Sequence, residues 1–144
     1  MATAEQLITL KGGSVASLGP EATVLEAAAL MNERGIGSVV VLDDKKRLAG
    51  IFTERDVLRR VVAEQRDPAT TKLADVMTSP VACAAPHTTL DEIRNVMRQR
   101  RIRHLPVAER KRVVGMVSIG DLNKAEHDVQ VQTIHYLEQY MSVS

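Results

Sequence analysis

An internal repeat dominates the 144-residue sequence. A shift of 66 residues carries Met31 onto Met97, Thr23 onto Thr89, Glu26 onto Glu92, Arg34 onto Arg100, Ile36 onto Ile102 and Val41 onto Val107. One residue is then lost in a turn, and a shift of 65 carries Gly50 onto Gly115, Thr53 onto Ser118 and Asp56 onto Asp121. Upstream, Leu7, Leu10 and Val15 fall on Leu73, Val76 and Val81. Two units of about 60 residues are too few for a solenoid, in which each repeat is covered by its neighbours. They predict two halves about a pseudo-two-fold axis, 7–65 and 73–126, joined by a polar linker, 66–72. A helical extension, 127–144, follows.

Each unit reads as β-α-β-β-α. An extended piece (14–18, then 80–84) leads to a capping box, Thr23-Val24-Leu25-Glu26 and then Thr89-Leu90-Asp91-Glu92. There a hydroxyl and a carboxylate satisfy two amides of the first helical turn. Val24, Ala27, Leu30 and Met31, matched by Leu90, Ile93, Val96 and Met97, recur at helical spacing. Gly35 suits a left-handed helix end. Arg101 stands in its place in the second copy, which predicts a different ending there. Ser38 to Leu42 is a β-branched run expected of a strand buried on both faces. Pro106 lacks an amide hydrogen, so its side of the strand should face an edge or a bulge. A last helix should open at each of Asp56 and Asp121.

Composition narrows the functional classes. Nineteen Lys+Arg against eighteen Asp+Glu leave a net charge of +1, less basic than a nucleic-acid coat requires. Phe52, Tyr136 and Tyr140 are the only aromatic residues, too few for a base-stacking platform. Cys83 is the single cysteine, so no intrachain disulfide forms; it is expected to be buried and inert. No apolar run is long enough to span a membrane, and Met1 to Gly13 lacks signal or transit character. A cytoplasmic setting is expected. No nucleophile–base pair, metal constellation or Gly-rich phosphate loop appears, which predicts a protein without catalytic activity or a required cofactor.

Two copies of Gly-apolar-x-[Thr/Ser]-x-x-Asp now stand out, Gly50-Ile51-Phe52-Thr53-Glu54-Arg55-Asp56 and Gly115-Met116-Val117-Ser118-Ile119-Gly120-Asp121. With Arg101-Ile102-Arg103-His104-Leu105-Pro106-Val107 and Asp75-Val76-Met77-Thr78, they make the chain resemble a CBS-domain pair, or Bateman module, of the small stand-alone bacterial type. The resemblance implies an α/β fold of tandem βαββα repeats, with small mixed sheets flanked by helices. It also implies a homodimeric regulatory module that binds an adenosyl nucleotide between the repeats. AMP, ADP, ATP, S-adenosylmethionine or NAD(H) would be the ligand, and a regulated protein a further partner.

The chemistry agrees with what the resemblance implies. An ionised carboxylate can accept both ribose hydroxyls, the role expected of Asp56 and Asp121. Thr53 or Ser118 can bond the sugar or α-phosphate, and arginine grips phosphate oxygens bidentately. The resemblance groups Asp121 with Ser14, Val15, Ile36, Gly37, Arg103, His104 and Ser118. It groups Asp56 with Thr53, Arg55, Thr78, Val81 and Ile102. Gly120 stands where the first copy has Arg55, and Gly37 and Ser38 where the second has Arg103 and His104. This uneven supply of cations favours the Asp121 cleft for phosphate. Alternatively, the two aspartates are plain helix caps, and the basic segment 94–112 is a solvated face or a nucleic-acid contact. The stripe Leu122, Ala125, Val129, Thr133, Tyr136 and Tyr140 is expected to be core or dimer surface, with Val129, Tyr136 and Tyr140 joining an interface with the Leu30 and Met97 helices.

Overall fold

Each repeat builds a small sheet covered by helices. The computed structural model describes residues 2–127. Helix α1 (Ala4–Lys11) precedes the first unit. That unit contains β1 (Ser17–Leu18), α2 (Val24–Arg34), β2 (Ser38–Leu42) and β3 (Leu48–Thr53). A helix, α3, starts at Glu54–Asp56 and widens to a π-helix over Val57–Val62. The second unit follows α4 (Leu73–Val76) with α5 (Leu90–Arg100), β4 (His104–Glu109), β5 (Arg112–Ser118) and α6 (119–127). Among the described residues no helix is long and apolar enough to cross a membrane. The expected extension and its stripe from Val129 onward lie outside the described residues.

The sheets obey the repeat down to single pairs. β2 is antiparallel to β3 with Ser38 opposite Thr53, and β4 is antiparallel to β5 with His104 opposite Ser118. β1 runs parallel to β2, anchored where the Val40 amide donates to the Ala16 carbonyl at 3.0 Å. Pro106 occupies Val40's place in the second unit and has no hydrogen to donate. Pairing there shrinks to one bridge, Ala84 with Val107. The segment before Ala84 is therefore not held as a strand, and Cys83 is exposed rather than buried as expected.

Two local expectations are corrected. Arg101 ends α5 in the same left-handed conformation that Gly35 adopts at the end of α2, with φ of 55° and 62°. Its carbonyl accepts a hydrogen bond from Arg55 Nη1 at 2.7 Å, which helps offset the steric cost of that conformation. The last helices begin before the aspartates. Thr53 is the N-cap of α3, and Asp56 sits three residues on, closing a capping box.

The helices before each unit are exchanged. Ala4, Leu7 and Ile8 of α1 pack into the core of the second unit with Ile93, Met97, Leu105 and Val117. Leu73 and Val76 of α4 pack into the core of the first with Val24, Val39 and Phe52. The crossing is sealed by main-chain bonds, Ala4 N to Thr88 O at 2.8 Å and Leu73 N to Ala22 O at 2.8 Å. Fully burying one leucine stabilises by about 1.5–3 kcal/mol, so the exchange ties the halves firmly together.

Candidate functional site

A cavity of about 780 Å³ opens between the two units beside α3. Ile51, Thr53 and Asp56 reach it from the first unit, and Thr78, Val81 and Ile102 from the second. Thr53, Thr78, Val81 and Ile102, with Arg55, are the residues grouped with Asp56 from the sequence, and Ile51 joins them. The strand-end hydroxyl and the helix-start carboxylate are brought there by the β3–α3 turn. Ile102 arrives because the left-handed Arg101 turns the chain from α5 into β4.

Asp56 is buried, 8% exposed, and its carboxylate is organised by neighbours. Oδ2 accepts the Thr53 amide at 3.0 Å and the Thr53 hydroxyl at 3.3 Å. Oδ1 accepts the Thr78 hydroxyl at 3.4 Å and faces Arg60 Nε at 3.5 Å. Asp56 is thus the N3 partner of a capping box and not the helix cap itself, and that position is compatible with a ligand role. Oδ1 has only long partners that an incoming hydroxyl could replace.

The charge of the cavity runs against the expectation that the Asp121 cleft holds phosphate. Arg55, Arg59, Arg60, Arg100, Arg101 and Arg103 all line the Asp56 cavity, against two acids, Glu54 and Asp56. Arg60 donates to the Met77 carbonyl at 2.9 Å and Arg55 to that of Arg101, so both are fixed by the main chain. Among the described residues no carboxylate pairs with Arg59, Arg100, Arg101 or Arg103. Sequence reasoning missed Arg59, Arg60 and Arg100, because the π-widened α3 and the end of α5 meet only in three dimensions.

Gly37 and His104, grouped with Asp121 from the sequence, also line this cavity. A Cβ on Gly37 would collide with Glu54 Oε1 and lie 3.2 Å from the His104 ring, so glycine lets these three groups meet. Burial holds the His104 imidazole below its ordinary pKa, against the opposing pull of the Glu54 and Asp121 carboxylates. His104 is therefore neutral near pH 7, a hydrogen-bonding group rather than the cation expected. Ser38 is buried in β2 opposite Thr53. Ile36 does not line the large cavity. It lies 39% exposed on a shallower groove of about 540 Å³ between α2 and α3.

The Asp121 half-site is built differently. Oδ2 accepts the Ser118 amide at 2.9 Å, and the Asp121 amide donates to Ser118 Oγ at 3.1 Å. Gly120 offers no cation beside it. The same Oδ2 meets Lys11 Nζ at 2.6 Å, a partner from α1 that the repeat did not suggest. Burial raises the pKa of this carboxyl, but the Lys11 ammonium and the Ser118 amide outweigh it, and the net shift is downward. Ser14 is exposed and Val15 half-buried, and neither borders the large cavity.

Doubled βαββα units, exchanged leading helices and paired hydroxyl–carboxylate turns at the seam define a CBS-domain pair. The chain belongs to this family: the CBS domain model matches residues 13–63 and 73–128. It is 34% identical over 108 residues to the CBS domain-containing protein YhcV of Bacillus subtilis, covering 75% of this chain and 76% of that one. It is 37% identical to the mitochondrial CBS domain-containing protein CBSX3 of Arabidopsis thaliana over 120 residues, 78% of this chain and 58% of the relative. A crystal structure of the CBS-domain protein ATU1752 from Agrobacterium tumefaciens superposes with a TM-score of 0.81 at 36% identity, covering 88% of this chain and 95% of that one.

Proposed function

We propose that this protein is a non-catalytic sensor that binds an adenosyl nucleotide in the Asp56 cavity. AMP, ADP and ATP are the leading ligands, and NAD(H) is the dinucleotide alternative. One observation carries the reading: a buried carboxylate flanked by two threonine hydroxyls opens onto a cavity lined by six arginines. Asp56 would take the ribose diol, with Thr53 and Thr78 beside it. Ile51, Val81 and Ile102 supply apolar walls for a purine. Arg59, Arg100, Arg101 and Arg103 supply bidentate donors for phosphate oxygens. An S-adenosylmethionine-type ligand fits less well, because its sulfonium would add a cation to a cavity rich in them. Nucleic acid fits less well too, since three arginines from segment 94–112 and three from α3 converge on a cavity instead of forming a flat face.

The homodimer belongs to the same reading. Leu25 on α2 and Leu58 and Val62 on α3 are 53–61% exposed, and Ile36 borders the groove between these helices. A second copy of the chain would cover them with two-fold symmetry. Ligand occupancy at the seam would then alter how the pair presents itself to a regulated protein. The reading is tested by denaturing the purified protein and identifying released nucleotides by mass spectrometry, followed by calorimetry with the compound found. An adenine nucleotide bound at the seam supports it; binding of S-adenosylmethionine in preference to every phosphate-bearing adenosine would overturn it.

A further inference from the structure

The two aspartates of the repeat are met differently by the helices that cross over them. The 66-residue shift carries Lys11 of α1 onto Met77, directly after α4. Met77 lies over Gly50, where an added Cβ would collide with its Sδ and Cγ. The hollow over the matching Gly115 is filled instead by Ile8, one turn earlier on α1. Ile8 and Lys11, three residues apart, share a helix face. With Ile8 in the hollow, the Lys11 stem is not needed for packing, and its ammonium extends to the aspartate. Nζ donates to Asp121 Oδ2 at 2.6 Å and to the Met116 carbonyl at 2.8 Å. The side chains are 33% and 23% exposed, so solvent screens the pair only in part. Asp56 has no equivalent: its nearest cation is Arg60, at 3.5 Å.

We propose that Lys11 is a gate that shuts the second ribose site, so that each chain takes one adenosyl nucleotide, at Asp56. This rests on the nucleotide reading above. A ribose diol needs a carboxylate with acceptor capacity to spare. Asp121 Oδ2 already accepts the Ser118 amide and the Lys11 ammonium. Among the described residues Oδ1 has no partner and could take one ribose hydroxyl, but the second, itself neutral, would have to displace a short charge-assisted bond at Oδ2, one of the stronger kinds in proteins. Met77 shows what stands at this position where the cleft is open. The gate therefore lies in one side chain, and replacing Lys11 by the residue of the other copy should open it.

Calorimetric titration with ATP of the wild type, Lys11→Met, Asp56→Asn and the Lys11→Met/Asp56→Asn double variant tests the gate. Asparagine keeps the cap and removes the charge. The wild type should bind one ATP per chain, Lys11→Met two, Asp56→Asn none and the double variant one. Two sites in the wild type, or no second site in Lys11→Met, would overturn the gate while leaving the nucleotide reading intact. Loss of sites in Lys11→Met would overturn it by making Lys11 a ligand contact. No binding to any of the four proteins would sink the nucleotide reading and the gate together. Lys11→Gln, which retains a polar stem, guards against a folding defect and should also reveal the second site. Carboxyl NMR should show the Asp121 titration midpoint rising in both Lys11 variants; an unmoved midpoint would contradict the contact itself.

Discussion

The Thr78 hydroxyl donates to Asp56 Oδ1 at 3.4 Å, joining the segment that opens the second repeat to the helix start that closes the first. The contact exists because α4 packs on the first unit and delivers Thr78 to the seam. It places a main-chain-anchored hydroxyl on the carboxylate face turned toward the cavity.

Asp56→Ala should weaken adenine-nucleotide binding at least tenfold, since a hydrogen bond to a charged group contributes about 1.5–3 kcal/mol. The same variant loses a capping-box partner and should unfold about 1 kcal/mol more easily. Calorimetry with AMP and urea denaturation separate the two effects. Unchanged affinity would remove Asp56 from the site.

Arg103→Ala should weaken AMP far more than adenosine, because only AMP carries the anion that a guanidinium grips. Equal losses for the two ligands, read by competition binding, would assign Arg103 to folding.

Arg101 should show stability and function pulling apart. Its left-handed backbone disfavours a side chain, by about 1–2 kcal/mol in the general case. Arg101→Gly should therefore raise the urea midpoint and lower ATP affinity at once, since the guanidinium leaves the cavity. A fall in both would show that the Arg55 bond to the Arg101 carbonyl depends on the arginine side chain.

Much of this arrangement was legible in the sequence, and the reason is local. Capping boxes at Thr23 and Thr89, the β-branched run at Ser38 and the doubled Thr/Ser-x-x-Asp turn are short-range signals set by hydrogen-bond geometry. The grouping of Thr53, Thr78, Val81 and Ile102 with Asp56 followed from the family resemblance. What stayed hidden was non-local. Nothing in α1 says that it crosses to the second unit, so Lys11 on Asp121 was invisible. Arg103 and His104, placed with Asp121, also border the Asp56 cavity because β4 begins at the seam, while the Asp121 carboxylate still acts on His104. A left-handed Arg101 contradicts its own propensity and is tolerated only in the tertiary setting.

Stability should depend on pH through His104. Its pKa is depressed in the folded protein, so the unfolded chain binds more protons as pH falls below about 6.5. Folding stability is then lost as pH drops from that value toward the folded pKa. Urea midpoints at pH 7.5 and 5.5 should differ less for His104→Gln than for the wild type. An identical difference would show that the imidazole titrates normally.

The central claim is that an adenosine phosphate occupies the Asp56 cavity at the seam of the two repeats. Titrating ATP into nitrogen-15-labelled protein and following the amides tests it most directly. Saturable shifts concentrated at Thr53, Asp56, Thr78, Val81 and Ile102 are predicted, with adenosine moving the same amides more weakly. Saturable shifts confined to residues away from this seam, or no saturable shift at all, would contradict the account.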